Sequence, residues 1–366
     1  MTLRKWQNIF TIDVEDSFYD TIFDMLNSCA SSINYDTSNT RQLTDDVRKQ
    51  NKYLWIYLLP AIFLLAFKAS SVGADTMNYN RAYIDIRDHG VSGIASRIER
   101  GYVYFIFLLT RIFPNTQTQH IAVAIIAMIV WWRFAKNNMV SPARFVVLLM
   151  GFNLYSFYLS GTRQALAMLF CLCGYESIKK KKMLVFLFWT LVGFLFHKSA
   201  LFFLPAYFMA NWKPTKNKLW LYALMYIVLI AANEILFEYA SGWFDIQYGI
   251  EEAGNGYIMI GLMAIITVLS FVRMKELLEL DPNNRFLIPL NALHMGFWLL
   301  RLFSRTAERP SLFYTVFAIA LVEQLILTVK MSRKRSIINA AVMLFFASYA
   351  IYKLRQAGLT PYRFFF

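Results

Sequence analysis

Beyond residue 52 the chain alternates long apolar runs with short polar ones. The runs have the length of bilayer crossings, for which about 20 predominantly apolar residues are needed (range roughly 17–25). Residues 53–72, 120–136, 145–160, 162–178, 219–239, 257–273, 286–302, 311–329 and 337–352 come near that length. Three others fall short: 101–113, 184–196 and 201–210.

Charge sets the direction of threading. Lys and Arg concentrate on the cytoplasmic side of membrane proteins. Arg48, Lys49 and Lys52 precede the first run, which places residues 1–52 inside. Arg133 and Lys136, then Lys179 to Lys182, then Lys213, Lys216 and Lys218 mark later returns, as do segments 273–285 and 330–335. If every run crossed, Arg133 and the Lys run would lie outside. If 101–113 enters and turns back, both lie inside. That run therefore reads as a half-helix, and backbone ending at membrane depth must be buried in protein or line a wet cavity. Runs 184–196 and 201–210 form a hairpin tipped by His197, Lys198 and Ser199. The predicted fold is an all-α, polytopic integral membrane bundle of about eleven spans plus one re-entrant element, a layout compatible with a GT-C-like architecture. Its parts are a polar cytoplasmic extension over 1–52, with a surface amphipathic helix over 6–26, and a transmembrane domain over 53–366 with an external loop at 73–100. Residues 1–52 lack the continuous apolar core of a cleavable signal. No inverted internal repeat is visible.

Composition agrees. The chain is 58% hydrophobic and 16% charged, against roughly 45–50% and about 25% in ordinary globular domains. The net charge of +14 reflects cytoplasmic loops and an anionic partner together. Nucleic acid is excluded as a partner, because the cations are scattered among spans rather than gathered on one face. Cys29 stands alone, and Cys171 and Cys173 lie in an apolar run at a spacing unsuited to zinc. They read as packing residues.

The candidate chemistry lies in cations on the wrong side of this topology. Arg163, Lys198, Arg301, Arg305 and Arg309 sit at or within helix ends, where ionisable groups are expensive and are functional candidates by default. Arg301 and Arg305, four apart, share one helix face. The planar guanidinium fork suits phosphate, so three or more Arg at one surface point to a diphosphate; interfacial snorkelling is the bland alternative. His197, at a helix break, is a candidate general base toward a sugar hydroxyl, with Asp75 or Glu99 as the alternative. A packing histidine is the structural reading. Asp75, Asn78, Tyr79 and Tyr83 open the external loop and Glu99 and Tyr102 close it. With Gln164, which follows Arg163, the Asn and Tyr side chains are candidates for sugar recognition. There is no phosphate-loop glycine motif, no acidic cluster spaced for a divalent metal and no nucleophile elbow. No cofactor or metal is expected, and the energy for any transfer would reside in a lipid-linked substrate.

Three stretches then resemble the EpsG-type, Wzy-like polysaccharide polymerases, in that family's order. Gly73-Ala74-Asp75-Thr76-Met77-Asn78-Tyr79 resembles its "G-x-D-x-x-x-Y", followed by Glu99-Arg100-Gly101-Tyr102, like "E-x-G-[FY]". Gly161-Thr162-Arg163-Gln164-Ala165-Leu166-Ala167 is similar to "R-Q-x-x-A", and Phe196-His197-Lys198-Ser199-Ala200-Leu201 to "F-H-x-S-A-L". The resemblance implies polymerisation of undecaprenyl-diphosphate-linked oligosaccharide repeats at the outer face of the bacterial inner membrane, for O-antigen, capsule or exopolysaccharide. Membrane lipid, a chain-length regulator and a flippase of the same pathway are the implied partners. A lipid-linked saccharide flippase, an O-antigen ligase-type transferase and a membrane O-acyltransferase are the alternatives. The polar residues 1–52 depart from the pattern, where a further early helix is expected.

Overall fold

The computed structural model describes residues 54–93, 98–244, 256–357, 359 and 362–366. The expectations for residues 1–52 and for Cys29 lie outside them. Among the described residues the regular structure is helical, joined by turns and short loops, with one isolated bridge between Lys68 and Phe364.

Helix α1 (Leu54–Ala66) packs along α4 (Gln117–Asn138). Between them in sequence come α2 (Thr76–His89) and α3 (Arg100–Ile112). The pair α5 (Pro142–Gly151) and α6 (Leu154–Ser160) leads to α7 (Thr162–Cys173) and the single turn α8 (Tyr175–Lys179). Helix α9 (Met183–Phe196) lies against α7 and passes through a 3₁₀ segment (Lys198–Phe203) into α10 (Pro205–Asn211). The second half holds α11 (Leu219–Ala231), α12 (Asn233–Phe244), α13 (Tyr257–Val272), α14 (Met274–Leu280) and α15 (Asn284–Leu300). A 3₁₀ turn (Arg305–Ala307) then precedes α16 (Glu308–Ser311), α17 (Thr315–Leu327) and α18 (Ser332–Gln356).

Helices α15 and α17 pack on each other and bury nearly every residue, so they form the centre. Outer helices do the opposite. Leu184, Phe208, Trp220 and Ile227 are each more than 60% exposed, which water would penalise and lipid does not. Helices α4 and α18, of 22 and 25 residues, each have the length and apolarity to cross a bilayer. Four bent pairs bring the number to as many as six.

The departures from the expected spans are local. Run 145–160 is two helices bent by 66°, because Asn153 adopts a left-handed φ of 59°. Run 219–239 bends by 64° and the segment around 311 by 68°. The expected loop at 73–100 contains α2, whose inward face buries Thr76, Tyr83 and Ile86. Run 101–113 is a single helix of 13 residues, about 20 Å at 1.5 Å per residue and too short for a roughly 30 Å hydrocarbon core.

Candidate functional site

Three broken elements meet at one place. The start of α3 lies so close to the end of α9 that a Cβ on Gly101 would sit 2.5 Å from the Leu195 carbonyl oxygen. This approach carries Glu99, the residue before α3, onto the turn after α9. There the Lys198 backbone N–H donates to Glu99 Oε1 at 3.2 Å. A second approach seats the 73–76 turn on the end of α6. Gly73 has φ +92°, and a Cβ there would collide with the Leu159 carbonyl oxygen. The Ala74 N–H donates to Ser160 Oγ at 3.3 Å, just before the Gly161 entry to α7.

Arg163, in the first turn of α7, is thereby placed against Glu99 and Tyr79. Its Nη1 donates to Glu99 Oε2 in a salt bridge whose side chains are 24% and 13% exposed. Its guanidinium lies 6.0 Å from the centre of the Tyr79 ring, and the Tyr79 side chain also hydrogen-bonds to it. Tyr79 packs edge-on to Tyr102 with ring centres 5.8 Å apart. Asp75 caps α2 one turn before Tyr79; its side chain is exposed and makes no cap hydrogen bond.

His197 ends α9 and is half-buried. Its Nδ1 accepts from the Ser199 backbone N–H at 3.2 Å and lies 2.6 Å from Ser199 Oγ. That uses the Nδ1 lone pair, so the proton of the neutral ring sits on Nε2. Burial pushes the imidazole from 6.5 down to about 4; Glu99 opposes the shift, while the Arg163, Arg309 and Lys198 cations reinforce it. At neutral pH His197 is therefore an uncharged donor through Nε2, and acting as a base would require the other tautomer.

The remaining candidates divide. Gln164 is buried and donates to the Arg309 carbonyl at 2.9 Å, tying α7 to the start of α16. Arg309 itself is exposed, as are Lys198 and Asn78. Tyr83 and Tyr102 are fully buried, with hydroxyls committed to the Phe113 carbonyl at 2.6 Å and to Gln119 Oε1 at 2.9 Å. Tyr102 supports the site through its ring contact with Tyr79, whereas Tyr83 ties α2 to the far end of α3. Arg301 and Arg305 stand apart. Helix α15 ends at Leu300, so the two do not share a helix face. They line a separate cavity of ≈ 310 Å³ with Trp298, Glu308, Tyr349 and Lys353.

Lys68 belongs to the construction and went unnoticed in the sequence. It is 1% exposed. Its Nζ donates to Thr76 Oγ1 at 3.1 Å and to the Leu159 carbonyl. The 73–76 turn is thus fixed to the end of α6, and through it to Arg163. The one signal was a lone cation inside an apolar run. Gln119 also went unnoticed. It receives the Tyr102 hydroxyl and donates to Asn80 Oδ1 at 2.8 Å.

Fold and site together define an all-helical membrane protein whose polar centre is assembled from helices that stop short. The EpsG family model matches residues 51–364, and the chain belongs to that family. All the motif-bearing segments fall inside the match. It is accordingly a polymerase-like membrane protein of polysaccharide biosynthesis. Comparison with curated proteins and with solved structures returns no match.

Proposed function

We propose that the protein polymerises lipid-diphosphate-linked oligosaccharide repeats by glycosyl transfer at the outer face of the bacterial inner membrane. The observation that carries the reading is the convergence of Glu99, Arg163 and His197 from three separate motif segments. Such transfer needs cations where diphosphate charge develops and a donor close by, and preorganised groups in a site shielded from water supply that stabilisation best. Basic clusters at the far helix ends, around Lys180, Lys216 and Lys334, support an outward orientation of the site by charge bias.

In this reading Arg163, oriented by Glu99, holds the leaving diphosphate, with Lys198 and Arg309 at its rim. The bond between the anomeric carbon and the diphosphate oxygen breaks, and the acceptor hydroxyl oxygen bonds to that carbon. The hydroxyl proton passes to Asp75, whose carboxylate makes no cap bond. The His197 Nε2–H donates to the departing oxygen or to a sugar hydroxyl. Tyr79 and Asn78 offer the saccharide a ring and an amide. About eleven spans accommodate this orientation.

Purified protein in lipid nanodiscs, given an undecaprenyl-diphosphate-linked repeat, is expected to lengthen the saccharide without another enzyme. Translocation in vesicles without lengthening would replace the reading with a flippase. Transfer only to a different acceptor would replace it with a ligase, and acyl transfer with an O-acyltransferase.

A further inference from the structure

Helix α4 begins with four polar residues, Gln117-Thr118-Gln119-His120, ahead of its apolar run. Gln119 and His120 are 0% and 2% exposed. Burying an amide or an imidazole is costly unless it is hydrogen-bonded, and both bond to one atom of another helix. Asn80 Oδ1, on α2, accepts from Gln119 Nε2 at 2.8 Å and lies 2.9 Å from His120 Nε2. A carbonyl oxygen only accepts, so His120 Nε2 carries a proton. At the other end of the Gln119 amide, the Tyr102 hydroxyl of α3 donates to Oε1 at 2.9 Å. Gln117 reaches a third neighbour: its Nε2 donates to the Ala66 carbonyl and, at 3.4 Å, to the Lys68 carbonyl. One helical turn therefore holds the end of α1, the middle of α2 and the start of α3.

These anchor points bear on Tyr79. Asn80 follows Tyr79 in α2, and successive helical residues are turned about 100° from each other. With Asn80 held on α4, Tyr79 is turned toward Tyr102, at 5.8 Å between ring centres, and toward the Arg163 guanidinium, 6.0 Å from its ring centre. Apolar packing fixes this rotation weakly, because only Thr76, Tyr83 and Ile86 of the fourteen residues in α2 are buried. A buried polar link is directional, and a satisfied network selects one arrangement. Lys68, whose carbonyl Gln117 holds, anchors the preceding 73–76 turn through its Nζ.

We infer that Asn80, Gln119 and His120 are positioning residues for transfer: together they set the rotation of α2 and so hold the Tyr79 side chain against the Arg163 guanidinium. Their effect on rate rests on the reading that Arg163 holds the leaving diphosphate. Their hold on Tyr79 does not.

Placement and rate are measured separately. A ring-fluorinated tyrosine in place of Tyr79, in the full-length protein in nanodiscs, reports the surroundings of the ring by fluorine NMR. Extension of an undecaprenyl-diphosphate-linked repeat reports kcat and KM. His120→Leu and Gln119→Leu should shift or split the fluorine resonance and lower kcat about tenfold to 100-fold, with KM raised less, the scale of a small misplacement of a reacting group. Glutamine can bring its amide nitrogen near the position of the imidazole Nε2, and the shorter asparagine cannot. His120→Gln should therefore recover the wild-type resonance and most of kcat, and His120→Asn should recover neither. That pair decides the matter should the Leu variants fail to fold. A wild-type kcat in either Leu variant, or a wild-type resonance in His120→Asn, would overturn the positioning role. Equal loss in His120→Gln and His120→Asn would overturn it too, leaving His120 as a packing residue. If the unsubstituted protein extends no saccharide while the resonance responds as stated, the polymerase reading fails and the hold on Tyr79 stands.

Discussion

Glu99 and Arg163, which lie 64 positions apart in sequence, form a salt bridge between the mouth of one short helix and the first turn of another. Glu99 also receives the Lys198 N–H, so one carboxylate joins three motif segments. Arg163 should be judged by geometry as well as charge. Arg163→Ala is expected to lower transfer by about 100-fold or more, the scale of losing one preorganised charge-stabilising donor. Arg163→Lys, which keeps charge without the planar fork, should still lose about tenfold. Saccharide chain length at matched membrane abundance measures both; wild-type lengths from Arg163→Lys would refute the bidentate role.

The same pair separates folding from function. Glu99→Gln should lower thermal stability and activity together. Exchanging the two, Glu99→Arg with Arg163→Glu, restores an ion pair and should recover part of the melting temperature while activity stays absent. Recovered activity in the exchanged protein would show that only the pairing matters.

His197 makes a prediction about pH. Its value of about 4 in the folded protein lies below its ordinary 6.5. Between these values the unfolded chain binds the proton and the folded chain does not, so stability is lost as pH falls through that window. Melting in detergent should drop from pH 6.5 toward 4, and drop less in His197→Gln. From pH 6.5 to 8 this residue stays neutral in the folded protein and should contribute no inflection to the rate. An inflection near pH 6.5 that His197→Gln abolishes would contradict the assigned state.

Away from the site, Arg144 Nε donates to Glu323 Oε1 at 2.6 Å with both side chains at most 2% exposed. Glu323 also receives the Ser141 N–H at 2.8 Å. Removing one partner should cost about 3–5 kcal/mol, while replacing both with apolar groups should recover much of it. Thermal melting of Glu323→Leu against Arg144→Met with Glu323→Leu decides this. Equal loss in single and double variants would place the stability in the backbone contacts.

Lys68→Met should remove one of two donors to the Leu159 carbonyl, which keeps the Thr76 hydroxyl at 3.2 Å, at a cost of about 1 kcal/mol. As a positioning residue acting through the 73–76 turn, it should lower kcat more than it raises KM. A variant with reduced stability and wild-type kcat would restrict Lys68 to a structural role.

Much of this arrangement was legible in the sequence because the motifs mark helix ends. Glu99, Arg163 and His197 each follow or open an interrupted apolar run, and the interruption brings polar groups together. The short helix at 101–113 was legible from the length of its apolar run. Helix α2 was not, because its sequence is polar and its three buried positions reflect tertiary packing. The separation of Arg301 and Arg305 from Arg163 was hidden too: spacing gives a shared face only while the helix continues, and α15 ends at Leu300. Lys68 was absorbed into a span, since one cation does not break an apolar average.

The central claim is that Arg163, oriented by Glu99 and flanked by His197, holds a lipid-linked diphosphate for glycosyl transfer. The most direct measurement is a cryo-EM map of the protein in nanodiscs with a non-transferable lipid-diphosphate saccharide analogue. The account predicts diphosphate density against the Arg163 guanidinium, with the first sugar beside His197 and Asp75. A bound analogue whose diphosphate lies away from Arg163, with the Glu99–Arg163 bridge closed over an empty site, would contradict it.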